Sequence, residues 1–374
     1  MEEKRLGFGA MRLPLLDPND QTSIDIEQVK QMVDLFIERG FNYFDTAYPY
    51  HGETSELAIR KALVKRYPRE SFLLADKMPI MKINSADELP QYFNKQLEKC
   101  GVEYFDYYLL HNLGRDRYIS TEKFSAFSFI RDMKEQGYIR NIGFSFHDDA
   151  QTLDRILTDH PEVEFVQLQI NYLDWDSQVT QSGKCYEVAR KHGKMLTVME
   201  PVKGGTLASL PEKAMKKFEE FYADCEVMPS PASLAIRYVA SLDGIIRVLS
   251  GMSSLKQVED NTSYMMDFKP LSPEEKKLTQ EITEILNSTI KVPCTSCKYC
   301  MEECPMNINI PGYFALLNLY ATTGQKTNMY YERYSMNYGK ASECLKCGRC
   351  EQLCPQHILI RDNLEEFAQL YEKK

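Results

Sequence analysis

A TIM (β/α)8 barrel followed by a small metal-binding domain is the architecture this 374-residue sequence predicts, on two observations. Up to Pro270, short β-rich runs alternate with amphipathic helical segments. That is the pattern of a parallel sheet with helical crossovers, and eight such units make a barrel of ordinary size. Beyond it, Cys294, Cys297, Cys300 and Cys304 precede Pro305, and Cys344, Cys347, Cys350 and Cys354 precede Pro355, so that C-x-x-C-x-x-C-x-x-x-C-P occurs twice. A doubly wound open sheet is the alternative for the first part. It is weakened because no G-x-G-x-x-G turn follows an early strand; Gly7-Phe8-Gly9 is too short a match and lies inside a strand.

In chain order, strands are expected at Leu6 to Ala10, Tyr43 to Thr46, Phe72 to Lys77, Phe105 to His111, Ile139 to Phe146, Phe165 to Tyr172, Met195 to Val202 and Ile246 to Gly251. Between them, Glu27 to Arg39 reads as a helix ended by Gly40. Ser85 to Cys100 carries a Ser85/Glu88 capping box and stops at Gly101, and Pro231 to Ala240 is opened by Ser230 with proline at its first position. Ser272-Pro273-Glu274-Glu275 starts a charged helix running to about Leu286. Residues 271–290 therefore read as a connector on the barrel's outside, with the barrel at 1–270 and the second domain at 291–374. Between the cysteine runs, Phe314, Leu317, Leu319, Tyr320, Tyr330, Tyr331 and Tyr334 recur at helical spacing within Ile310 to Asn337, an aromatic stripe expected to be core.

A net charge of -9 and a pI near 5.4 argue against nucleic acid as a partner, because phosphate binders carry a basic patch or stripe. Met1 to Gly9 lacks the apolar core of a signal peptide, and no later stretch approaches the roughly 18 apolar residues of a membrane span. No membrane association and a cytoplasmic location are expected. Eight of the 11 cysteines lie in the two runs; Cys100, Cys185 and Cys225 are scattered and read as inert thiols, since a disulfide framework does not suit a reducing compartment.

Thiolates at i, i+3 and i+6 can wrap one cuboidal cluster from a single loop, with the fourth ligand supplied from elsewhere. Where two such runs occur together, the cysteine before proline ligates the other cluster. Cys294, Cys297, Cys300 and Cys354 are therefore expected to hold one [4Fe-4S] cluster, and Cys344, Cys347, Cys350 and Cys304 a second. Zinc is the rival metal, but its modules use separated C-x-x-C pairs without a third cysteine at the same interval. The long insert between the runs resembles that of the α-helical ferredoxin modules, which implies an electron-transfer domain.

In the barrel half, Asp45 ends a strand and Tyr50 follows five positions later; Lys77 and His111 end two further strands. Catalytic groups of TIM barrels sit at that face, so four polar groups are expected to converge on one mouth. In order, spacing and strand position these residues resemble the tetrad of the aldo-keto reductases, over roughly the first 265 residues. The resemblance implies NADP(H) or NAD(H) as cofactor and a small carbonyl or alcohol as substrate, with Tyr50 as general acid. Reducing a carbonyl by hydride leaves an alkoxide to protonate, and a phenol of pKa near 10 is a sluggish acid at neutral pH. A cationic Lys77 held by Asp45 is expected to lower that pKa by roughly 1 to 3 units, with His111 aligning the carbonyl oxygen.

The same resemblance places Ser145 and Gln169 on the nicotinamide carboxamide, and Gly251, Ser253, Gln257, Asp260 and Asn261 on the adenosine phosphate and adenine at a helix N-terminus. Gly204 and Gly205, after the seventh strand, either admit the pyrophosphate closely or form a simple turn. One position departs: a tyrosine commonly stacks on the nicotinamide at the end of the seventh strand, where this chain has Met199-Glu200-Pro201. The combined expectation is a nicotinamide-linked oxidoreductase whose clusters exchange electrons with a redox partner protein. The alternatives are a cluster-driven reductase that uses no nicotinamide, and a binding protein with structural clusters. Hydride moves two electrons and a cluster one, and no flavin motif is evident to convert between them.

Overall fold

The computed structural model describes residues 4–18, 20–177, 180–288, 291–292, 294, 299–302, 304–354 and 358–373. Eight parallel strands close into a barrel in sequence order: β1 Leu6–Gly9, β2 Tyr43–Asp45, β3 Leu73–Met78, β4 Phe105–Leu113, β5 Ile139–Phe146, β6 Phe165–Gln169, β7 Met195–Met199 and β8 Ile245–Ser250. Each apolar run in the sequence became a strand because helices cover its outer face and the barrel its inner one. Most carboxyl ends shift by one or two residues from expectation, and two differ by three. The sixth strand stops at Gln169 and the seventh at Met199, since Asn171 starts a turn and Glu200 takes a left-handed φ of 55°, although both stretches continue with apolar residues.

Inward-pointing Tyr43, Ala75, Leu109, Phe165 and Leu249 form an apolar layer inside the barrel. Gly7 makes room for it: a Cβ there would lie 2.7 Å from Leu249 Cδ2. Side chains alternate along a strand, so the next inward position on β2, β3, β4 and β5 is Asp45, Lys77, His111 and Ser145 at the carboxyl end.

Helix starts follow their caps. Asp25 accepts from Gln28 N at 3.0 Å and Asp149 from Thr152 N at 2.8 Å. Ser272 Oγ and the Glu275 carboxylate exchange bonds with each other's main-chain N–H at 3.1 and 2.9 Å, opening the helix Pro273–Asn287. The expected Ser85 start is displaced: that helix spans Glu88–Cys100, and Glu88 turns its carboxylate to Asn84 N instead.

The chain forms two compact units, and their division falls inside the helix Pro273–Asn287, at Thr279/Gln280; Pro211–Lys217 belongs with the later unit. In that unit, the helical spacing of Ile310 to Asn337 is carried by two helices, Ile310–Thr323 and Asn328–Asn337, with Gly324 ending the first at a φ of 68°. With Ile360–Tyr371 they enclose a core of Ile308, Tyr313, Phe314, Leu317, Tyr330, Leu364 and Phe367, against which Tyr331 and Tyr334 pack. Among the described residues no helix is long and apolar enough to cross a membrane.

Candidate active site and cysteine module

The buried Lys77 ammonium donates to Asp45 Oδ1 at 2.6 Å and to the Thr46 carbonyl at 2.7 Å. It lies 5.0 Å from the centre of the Tyr50 ring, and that ring meets His111 edge-on at 5.9 Å. The structure thus brings Asp45, Tyr50, Lys77 and His111 together. Thr46, whose carbonyl completes the lysine's bonds, carries no sequence signal, because a main-chain acceptor leaves none.

The loop bearing Tyr50 is held by His51, which accepts from Leu13 N–H at 3.1 Å and turns its other ring nitrogen to the Gln21 carbonyl at 3.1 Å. His51, Gly52 and Glu53 have successive φ values of 51°, 57° and 70°, a left-handed turn that returns the chain to the helix Ser55–Ile59. Burial holds the His51 imidazole below its usual range, so it stays neutral and able to accept.

Electrostatics sets the protonation states. Burial pulls the Lys77 ammonium down more than any single neighbour lifts it, but Asp45, Tyr50 and Asp76 together outweigh it, so its pKa is raised and the lysine stays charged. Burial pushes the Tyr50 phenol above its ordinary value of 10, with Lys77 opposing. The expected net lowering by Lys77 is thus corrected: removing the phenolate from water costs more than the lysine returns. Burial, then the charges of Lys77, His147 and Arg117, keeps His111 well below its usual range and neutral. Neither His147 nor Arg117 was singled out from the sequence, since both approach from the neighbouring strand end and helix rather than from the tetrad spacing.

The remaining candidates line strand ends and loops. Ser145 Oγ accepts from Asn112 N at 2.7 Å, next to His111. Gln169 donates to Asp174 Oδ2 at 2.8 Å; Asp174 also takes Asn171 at 2.8 Å and Lys203 at 2.5 Å, a junction the sequence did not reveal. Gly204 and Gly205 form a left-handed turn after β7, with φ values of 61° and 104°. Gly251 follows β8. Ser253 N donates to Gln257 Oε1 at 2.6 Å, at the start of the helix Leu255–Met265 capped by Ser254. Asp260 accepts from Ser230 at 2.8 Å, while Asn261 bonds Ser250 at 2.6 Å and Tyr264 at 2.8 Å, so both hold the segment to the barrel.

In the later unit, Cys304, Cys344, Cys347 and Cys350 line one pocket with Ile308, Ile310 and Leu364. Ile308 N–H donates to Cys304 Sγ at 3.5 Å. Four thiols converging in a largely apolar pocket that Arg361 also lines, with a main-chain donor on a sulfur, fit an iron–sulfur cluster. Cys300 is buried, and Cys294 and Cys354 are half-buried. Cys297 lies outside the described residues.

Residues 5–284 match the model of the Aldo/keto reductase family, and the chain belongs to that family. It is an oxidoreductase of aldo-keto reductase type with an appended iron–sulfur domain, for residues 293–359 match the 4Fe-4S dicluster domain. An uncharacterized oxidoreductase of Schizosaccharomyces pombe is 24% identical, covering 70% of this chain and 81% of its own. Two solved structures share the fold: an aldo-keto reductase of Bacillus halodurans in its holo form (24% identity, 74% of this chain and 91% of that one, TM-score 0.57), and an aldo-keto reductase of Klebsiella pneumoniae in complex with NADPH (18%, 76% and 96%, TM-score 0.58).

Proposed function

We propose that this chain is a cytoplasmic reductase of a small carbonyl compound, or in reverse an alcohol dehydrogenase, that uses NADP(H) and protonates its product from Tyr50. The observation that carries this reading is the buried Lys77 ammonium, bonded to Asp45 and Thr46 beside the Tyr50 ring. Bound nicotinamide supplies the hydride. Neutral His111 aligns the carbonyl oxygen, and Tyr50, kept protonated by burial, donates its proton to that oxygen as negative charge develops there. The phenolate left behind faces the Lys77 cation, which Asp45 keeps charged and oriented.

Ser145 and Gln169 would orient the carboxamide from the rim of the mouth. The turn of Gly204 and Gly205, Gly251, and the capped helix start at Ser253 and Gln257 would take the phosphates, an arrangement that uses helix N–H groups for anions. Asp260 and Asn261 would reach the adenine from the same helix while anchoring it. The exposed Ser253 and Lys256 favour the phosphorylated form of the cofactor, the form bound by the Klebsiella protein.

The cysteine module would hold two [4Fe-4S] clusters with the cross-ligation set out above, each passing one electron to or from a partner protein. Supporting this, Cys347 and Leu345, which line the same pocket, are both exposed, an apolar side chain beside a ligand where a carrier would approach.

Titrating the anaerobic protein with NADPH while following nicotinamide fluorescence and cluster absorbance tests the reading. Saturable nicotinamide binding is expected. Cluster bleaching without nicotinamide binding would overturn it in favour of a cluster-driven reductase, and neither signal would leave a binding protein with structural clusters.

A further inference from the structure

Strand β2 is only three residues long and stops at Asp45, opposite Ala75 of β3. Leu73 N bonds the Asn42 carbonyl and Thr46 N bonds the Ala75 carbonyl, so odd-numbered residues of β3 face their main chain toward β2. Lys77 is the next such residue, and by then β2 has turned away into the loop that carries Tyr50. Its N–H and C=O would meet no strand, which is costly for buried backbone.

Side chains supply both partners. Asp76 Oδ1 accepts from Lys77 N at 2.8 Å, and Gln96 Nε2 donates to the Lys77 carbonyl at 3.0 Å. Gln96 comes from the helix Glu88–Cys100, where it shares the buried face with Leu89, Phe93 and Cys100, an unusual place for an amide unless it is bonded. Its other end is fixed by Tyr108 of β4, whose hydroxyl donates to Gln96 Oε1 at 2.5 Å. Behind Asp76 lie the buried Glu56, whose partner is the Lys99 ammonium, and the Cys100 thiol, 3.6 Å from Asp76 Oδ2. Lys99 already fills the cation's role there, so this cluster is a brace and not a metal site.

We propose that Gln96, held by Tyr108, is a positioning residue for Lys77. With Asp76 it stands in for the missing stretch of β2 and fixes the main chain from which the ammonium reaches Asp45 and Tyr50. The proposal rests on the reading of Lys77 and Tyr50 as the proton-transfer pair.

The test compares Gln96→Met, which keeps length and loses the donor, with Tyr108→Phe, which only frees the amide. NADPH-dependent carbonyl reduction is measured across pH, with melting temperature alongside. Gln96→Met is expected to lower kcat about ten- to a hundredfold, the scale of a small misplacement of a catalytic group, while KM changes less than about twofold. The alkaline limb of its kcat profile is expected to move upward by about half a pH unit or more, because a loosened lysine stabilises the phenolate less. Tyr108→Phe, the milder change, should move both in the same direction and decides the matter if Gln96→Met does not fold. A lower melting temperature with kcat and pH profile unchanged would overturn the proposal, leaving Gln96 a stabilising residue only. Tyr50→Phe, assayed in parallel, separates the two readings: if it stays active, the proton-transfer reading fails and this inference with it; if it is inactive while Gln96→Met is unaffected, this inference alone fails.

Discussion

In the barrel, polar groups far apart in sequence meet because the register of a closed sheet puts them there, and Lys77 finds its acceptors, the Asp45 counter-ion and the Thr46 carbonyl, within the protein itself. In the cysteine module three of the four converging thiols, Cys344, Cys347 and Cys350, come from one short run, Cys304 joins them from the earlier run, and the only cationic side chain among the described residues lining their pocket is Arg361. The difference concerns what each region needs in order to fold. The barrel's site is held by a large continuous core, whereas the module's core is small and wraps the thiols. Its formation is expected to depend on the metal.

Removing iron is therefore the strongest way to separate the two. Cores of that size supply only about 3–5 kcal/mol, so anaerobic chelation should unfold the module outright. Limited proteolysis should then cut within 291–374 while barrel fragments persist; a module that stays protease-resistant without iron breaks the comparison. Within the barrel, Lys77→Met leaves the Asp45 carboxylate buried and unpaired and should cost about 3–5 kcal/mol of stability, read from denaturant unfolding. A change under 1 kcal/mol would mean that the ion pair is not the buried anchor described above.

A smaller effect should come with pH. The folded pKa values of His51 and His111 lie below their unfolded value of about 6.5, because burial disfavours the imidazolium. Their contribution is complete above about pH 6.5 and is lost as pH falls through the folded values. The melting temperature of the barrel should decline on acidification from there, and His51→Gln should flatten that slope. The smallest effect is at the cofactor rim: Lys256→Ala should weaken NADPH binding about two- to fivefold, in line with an exposed charge pair of up to about 1 kcal/mol, and leave NADH unaffected. Equal loss for both nucleotides would move the phosphate site elsewhere.

Much of this was legible in the sequence because the information is local. Each strand is a short apolar run between turn residues, the helices beginning at Pro231 and Pro273 open on the serine caps their sequence shows, and Asp45, Lys77 and His111 lie at the carboxyl ends of their strands. Strand ends were overextended where Tyr172 and Val202 continue the apolar run but the backbone turns. The helix break at Gly324 falls in the gap between Tyr320 and Tyr330 of the aromatic spacing, where a lone glycine does not distinguish a break from a packing site. Gln96, Thr46 and Asp174 were invisible for a different reason. Their partners, the Lys77 carbonyl, the Lys77 ammonium and Gln169, are fixed by three-dimensional register, and no spacing rule connects them. The Tyr50 shift was misjudged because residue types announce the neighbouring cation but not the depth of burial.

The claim on which the account turns is that Tyr50 supplies the proton in a nicotinamide-dependent reduction. Tyr50→Phe keeps the ring and its contacts and removes only the hydroxyl. Steady-state reduction of a small aldehyde by NADPH should fall about a hundred- to ten-thousandfold in kcat, with melting temperature and NADPH affinity preserved. A variant that reduces the aldehyde at near wild-type rate would contradict it.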